Sequence, residues 1–196
     1  MKHLDSRFDP EWRPVAFKEW QLVAEALAAG EQTVILRKGG ISEGKLGFQW
    51  LHEKFFLFPS LFHEQERQVK FRCDGSPRVI PTSVAAEDEI VFSVYVEAIG
   101  TGRLTDWNDI LRLDPYHIWK EEIVRERFEW GDEHGLSYAV VKTWQLTEPW
   151  ILKNRTSFGG CRSWFGLPPD EQGGWLPRLE SARAVEATVG MPEWLI

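Results

Sequence analysis

Ile90 to Ile99 alternates without interruption, with Ile90, Phe92, Val94, Val96 and Ala98 on one side of an extended chain and Val91, Ser93, Tyr95 and Glu97 on the other. A run of that length with a period of two belongs in a sheet with one face buried, and a helix cannot accommodate it. Shorter apolar runs at Thr33 to Arg37, Phe55 to Phe58 and Trp164 to Leu167 read as further strands. Leu46 to Trp50 reads as the return strand of a hairpin closed by Gly39-Gly40. Arg127 to Trp130 and Leu136 to Leu146 fit a second hairpin, stopped by Pro149.

Helices are expected around this sheet. Pro14 opens the first, with Phe17, Trp20, Val23, Ala24 and Leu27 at helical spacing and Gly30 as its left-handed stop. Ser60 is placed to cap a second that runs to about Lys70, and Thr105 or Asp106 a short third ending at Leu111. Asp114-Pro115 begins another that carries His117 and Trp119, and a last one lies near Pro177 to Val189. Residues 73–89 contain Cys73-Asp74-Gly75-Ser76-Pro77 and Pro81 and read as a loop. Helix and strand do not alternate strictly, so the fold class is α+β with a mainly antiparallel curved sheet and flanking helices, rather than a doubly wound parallel sheet. The expected organisation is an arm at 1–14, a single α+β domain at 15–167 and a helical extension at 168–196 packing on it.

Composition narrows the function. A net charge of −7 argues against a protein that coats nucleic acid or an anionic membrane by bulk attraction. Residues 37–78 nevertheless hold eight Lys or Arg against five Asp or Glu, a local excess of three positive charges. Eleven Trp residues are spread along the whole chain, as expected of packing residues rather than one aromatic patch. Cys73 and Cys161 are too few and too far apart for a zinc ribbon or a redox pair, and no motif requires a metal or cofactor. The first residues lack a signal-peptide core and no apolar run approaches the ~20 residues that span a bilayer, so a cytoplasmic protein without membrane association is expected.

Three segments can carry chemistry. Arg37-Lys38-Gly39-Gly40 is either a turn with solvated charges or an anion cradle, because glycine admits close backbone approach beside two cations. Phe55 to Gln65 delivers a strand into Pro59-Ser60 and then His63 and Glu64, either a capped helix start or a site using an imidazole that titrates near neutrality. Phe158 to Trp164 sets Gly159 and Gly160 beside Cys161, Arg162 and Trp164, either a structural bulge or a loop that binds a planar or anionic group. A nuclease of the restriction-enzyme type is not spelled out, since Val140 stands where its strand carboxylate should be, two residues before Lys142.

The pieces FKEW at 17–20, GEQTVILRKGGI at 30–41, FFLFPSLFHEQ at 55–65, LDPYHIW at 113–119 and FGGCRSW at 158–164 resemble the bacterial family called domain of unknown function 1802. That resemblance covers most of residues 15–167 and brings no activity with it. The segment from Gly30 to Arg37 is also similar to the G-x-K-x-x-E-x-R motif of the ASCH group of PUA-like barrels. Gly30 and Arg37 match, while Gln32 and Ile35 replace the Lys and Glu that catalytic members would use. This similarity implies a PUA-like β-barrel that binds RNA or a modified base, without the group's hydrolytic residues.

The expected function is therefore recognition of a nucleic acid or nucleotide at a confined basic pocket. Arg37 and Lys38 would contact phosphate, Gly39, Gly40, Gly159 and Gly160 would shape the loops, and Arg162 would add a second positive contact. Trp164 or His63 would stack or hydrogen-bond, and His117 is a further candidate lining residue. The alternatives are a metal-dependent nuclease or phosphodiesterase using Glu43, Glu64 or Glu97 with His63 or His117, and a non-catalytic interaction module.

Overall fold

The computed structural model describes residues 12–38, 48–61, 64–81, 88–160, 162–168 and 175–196. Seven strands form one curved sheet in the order β2-β5-β4-β3-β1-β6, with β7 also on β5. The strands are β1 (Val15–Trp20), β2 (Val34–Arg37), β3 (Lys54–Ser60), β4 (Glu89–Leu104), β5 (Leu136–Lys153), β6 (Trp164–Gly166) and β7 (Arg183–Ala184). Every pairing is antiparallel except β1 with β3. The helices are α1 (Gln21–Ala28), α2 (Gln65–Gln68), α3 (Trp107–Leu111), α4 (Glu121–Glu129) and α5 (Trp175–Glu180). The α+β class with a mainly antiparallel sheet is the one the sequence pattern indicates.

Both faces of the sheet are buried. Along β3, Phe55 and Leu57 enter one apolar cluster with α1 and α4, whereas Phe56 and Phe58 enter a second with Phe92, Trp150 and Trp175. Such a strand reads as a continuous apolar run because neither side meets water. Most of the tryptophans serve these clusters, and only Trp130 and Trp194 among them are exposed.

Several elements differ from the sequence expectation, each through a non-local contact. Residues 15–20 are a strand rather than the first turns of a helix, because ladders to β3 on one side and β6 on the other satisfy their backbone groups. Helix α1 starts only at Gln21, and the side-chain oxygen of buried Gln65 accepts the Leu22 amide at 2.9 Å in place of a local cap. Ser60 does not cap a helix; it ends β3 and its hydroxyl donates to the Glu19 carbonyl at 3.0 Å. Helix α2 stops at Gln68, since Val69 bridges to Trp119. Residues 48–50 form no strand, and β2 pairs with β5 instead of a hairpin partner.

The alternation of β4 is broken by two register shifts. Phe92 faces Trp150 but Val94 faces Gln145, so four residues of β5 bulge out opposite one of β4. Phe92 and Tyr95 consequently share one cluster while Val94 and Val96 share the other. Pro149 lies in that bulge, where no ladder amide is needed, and β5 continues past it to Lys153. Arg127 to Trp130 forms no hairpin strand, because it closes α4, and the hairpin partner of β5 is β4. Asp114–Tyr116 makes only a 3-10 turn, and His117 after it is extended. Asp106 does cap α3, accepting the Asn108 amide at 2.8 Å.

The chain after α5 is extended rather than helical and lies across the α1–β2 turn. The Thr188 amide and hydroxyl both donate to the Gly30 carbonyl, at 2.8 and 2.9 Å, and the Thr33 hydroxyl donates to the Gly190 carbonyl at 2.8 Å. Gly30 has φ +70°, and a Cβ there would overlap the Glu186 carbonyl oxygen. Gly30→Ala combines left-handed strain with that overlap and is expected to cost at least about 2 kcal/mol. Urea unfolding measures it, and a variant as stable as the parent would contradict this docking of the C-terminal segment.

Candidate basic site

Arg37 closes β2, and its guanidinium lies 4.6 Å from the centre of the Phe17 ring on β1. Its Nη2 donates to the Lys18 carbonyl and stands 3.7 Å from Oε2 of Glu19. Glu19 is 2% exposed, and its Oε1 accepts the Trp20 amide at 2.8 Å. A carboxylate buried to this degree needs opposite charge nearby. Arg127, on α4, supplies a second one: its guanidinium stacks 3.9 Å from the Trp119 ring centre and 5.1 Å from that of Trp20. Burial first, and then repulsion from Arg37, push the Arg127 pKa down to about 10, while Glu19 and, more weakly, Glu126 work the other way. Arg127 therefore stays charged at neutral pH, and one buried carboxylate stands among two guanidiniums.

Lys38, the second cation of the motif, is spent elsewhere. Its Nζ donates to the carbonyls of Phe128, Glu133 and Gly135 at 2.9, 2.6 and 3.2 Å, clipping the end of α4 to β2. Burial and the nearby Arg103 lower its pKa, and Glu133 partly compensates. Gly39, Gly40, His63, Glu43 and Cys161 lie outside the described residues.

The loop before β6 meets Arg37 through a single residue. The Lys18 carbonyl accepts from Arg37, its amide donates to the Ser163 carbonyl at 2.9 Å, and its Nζ donates to the Gly160 carbonyl at 2.7 Å. Gly159 and Gly160 are exposed, Gly160 with φ +79°, and Arg162 is exposed beside them. Trp164 is half-buried, packed 4.6 Å from Phe17 and 4.9 Å from Phe55 between ring centres, with its indole N–H on the Gln49 carbonyl at 3.2 Å. Its ring is committed to packing.

His117 is 4% exposed, its Nδ1 accepts the Trp119 amide at 3.2 Å, and its carbonyl accepts Lys70 at 3.1 Å. Burial above all, with Lys70 and Arg127 adding to it against Asp114, pushes its pKa down to about 3. It is therefore neutral at pH 7. The cavity beside it, lined by His117, Asp114, Trp107 and Glu121, measures about 10 Å³, roughly the room of one water. Of the acids proposed for metal chemistry, Glu64 is exposed and Glu97 faces Lys142 across the sheet. Among the described residues no three His, Cys, Asp or Glu gather as a ligand set.

Sequence reasoning missed Lys18, Glu19 and Arg127. The first two sit inside the FKEW segment, where a helical reading hid that they are strand residues. Arg127 was read into a hairpin strand, although Arg125 pairs with Glu121 and Glu129 at helical spacing.

Fold and site together define an α+β protein with a mainly antiparallel sheet in which Arg37, closing β2, reaches buried Glu19 near the end of β1. The chain belongs to the family described as domain of unknown function (DUF1802), whose pattern matches residues 16–183. Among solved structures it is similar to the crystal structure of ASCH from Zymomonas mobilis, at 16% identity and a TM-score of 0.48, covering 89% of this chain and 99% of that one. A mutant form of that protein matches at 14% identity and a TM-score of 0.48, covering 82% and 92%. No curated protein matches the chain. No helix among the described residues is long and apolar enough to cross a membrane.

The buried imidazole makes an acid prediction. Its folded pKa is depressed from 6.5 to about 3, so its contribution is complete above pH 6.5 and is lost as pH falls towards 3. The loss amounts to as much as roughly 4–5 kcal/mol. His117→Asn is expected to flatten the fall of unfolding free energy between pH 6 and 4 by close to one proton's slope. An unchanged slope would mean that another group titrates.

Proposed function

We propose that this protein recognises a nucleic acid or a nucleotide at a confined basic site, with Arg37 as a phosphate contact. The observation that carries the reading is the state of the Arg37 guanidinium. It is anchored on the Phe17 ring and the Lys18 carbonyl, its side chain keeps 23% exposure, and its buried Nε–H has no acceptor among the described residues. An arginine fixed on one side with donors unspent on another suits a bidentate phosphate.

The site's electrostatics support a local rather than a diffuse interaction. With a net charge of −7 the chain repels polyanions at long range. Affinity must then come from a few desolvated contacts. Lys18 links this guanidinium to the Gly159–Gly160 loop, which keeps exposed Arg162 as a candidate for an outer contact. Trp164 supports the site by packing under Phe17 and not by stacking on a ligand.

A short single-stranded RNA is expected to bind with an affinity that falls as salt rises, each phosphate contact contributing about 0.7 to the logarithmic slope. Arg37→Gln is expected to weaken binding roughly tenfold or more, in line with the ~1.5–3 kcal/mol of a charge-assisted hydrogen bond. Adding Arg162→Ala should lower the salt slope further. Full affinity in a double variant that melts like the parent would sink the proposal.

A further inference from the structure

Residues 183–196 cross the domain in a largely extended path, and only Pro192 among them is buried. The family's pattern ends at 183, so nearly all of this segment lies outside it. The segment starts as β7, on the part of the β5 edge that β2 leaves free. Strand β2 pairs with Ser137 to Val140, and the Val141 amide then donates to the Thr33 carbonyl at 2.9 Å. Further along the same edge the Thr143 carbonyl accepts the Val185 amide at 2.9 Å, beside the pairs Trp144–Ala184 and Gln145–Arg183. The Gly30 carbonyl takes both donors of Thr188, and Thr33 donates to Gly190. Two glycines make room for the crossing: a Cβ at Gly30 would overlap the Glu186 carbonyl oxygen, and one at Gly100 on β4 would overlap the Leu195 carbonyl oxygen. The Arg112 guanidinium closes the path 3.8 Å from the Trp194 ring centre, while Met191 and Leu195 pack against the apolar cluster that holds α1.

A groove whose floor is a strand edge and two glycines recognises backbone, and therefore an extended chain. Its present occupant is held mainly by hydrogen bonds and one stack, with little apolar burial, so lifting it costs far less than opening the sheet. We propose that residues 183–196 are a detachable strap, and that the groove beneath them docks the same segment supplied in exchange by a second copy of this chain. A second copy carries a sequence already fitted to this groove. Exchange also restores each bond that detachment breaks, which makes it a low-cost route to association. The proposal is independent of the reading of Arg37.

Hydrogen exchange on the full chain tests detachment. The Val185 and Thr188 amides are expected to exchange together, roughly a hundredfold or more faster than the Val141 amide on the same strand edge. Protection equal to that of Val141 would mean that the segment opens only with the whole domain, and overturns the strap. Docking is tested by adding a fluorescein-labelled synthetic peptide of residues 183–196 to the full chain and following its anisotropy. Saturable binding is expected, and Thr188→Val in the protein should tighten it roughly threefold or more, because the protein's own strap then loses a hydrogen bond. Gly100→Val, which fills the floor of the groove, should abolish it. A Gly100→Val protein that melts like the parent and binds the peptide equally well overturns the groove. If that variant does not fold, the peptide decides: a peptide carrying Thr188→Val or Trp194→Ala is expected to bind the parental protein more weakly, and unchanged affinity for both overturns the groove. Absence of saturable binding to both the parent and the Thr188→Val protein overturns docking in exchange.

Discussion

The structure depends on a sheet that is buried on both faces at β3 and β1. Phe55 and Leu57 point into one cluster and Phe56 and Phe58 into the other, each burial contributing about 1.5–3 kcal/mol. Two apolar layers are then obligatory. Helices α1 and α4 cover one face, and Trp12, Trp175 and α5 the other. The aromatic content of the chain is explained by these layers, since rings at 5–6 Å in tilted and edge-on contact fill them.

That same constraint creates the site. Strand β1 lies between β3 and β6, and Glu19 near its end is buried. Its charge is tolerated because Arg37 arrives from β2 and Arg127 from α4, while Lys18 one residue earlier serves the opposite side of the sheet over Phe58 and Phe165. Clips such as Lys38 on three carbonyls, and the C-terminal segment on Gly30, hold the elements that carry these residues.

Some of this was legible beforehand for a clear physical reason. The strands at 34–37, 54–60 and 164–166, the cap at Asp106 and the stop at Gly30 follow from local patterns, which need no knowledge of neighbours. Residues 15–20 were misread because Phe17, Trp20, Val23 and Ala24 also fit helical spacing, and only the ladders to β3 and β6 choose the strand. The faces of β4 were misassigned because its bulges depend on distant residues in β5. Arg37 stands out because it ends an apolar strand, whereas Arg127 lies 90 residues further on, in a helix taken for a strand.

The sequence by itself determined the α+β class, the placement of several strands and the acidic net charge, because composition and short periodicities are properties of adjacent residues. Only the tertiary structure decided that Lys38 is a clip, that His117 is buried and neutral, that Trp164 packs, and that Glu19 and Arg127 complete the cluster around Arg37. Those outcomes depend on which distant groups compete for each charge and each hydrogen bond, and that competition exists only once the chain is folded.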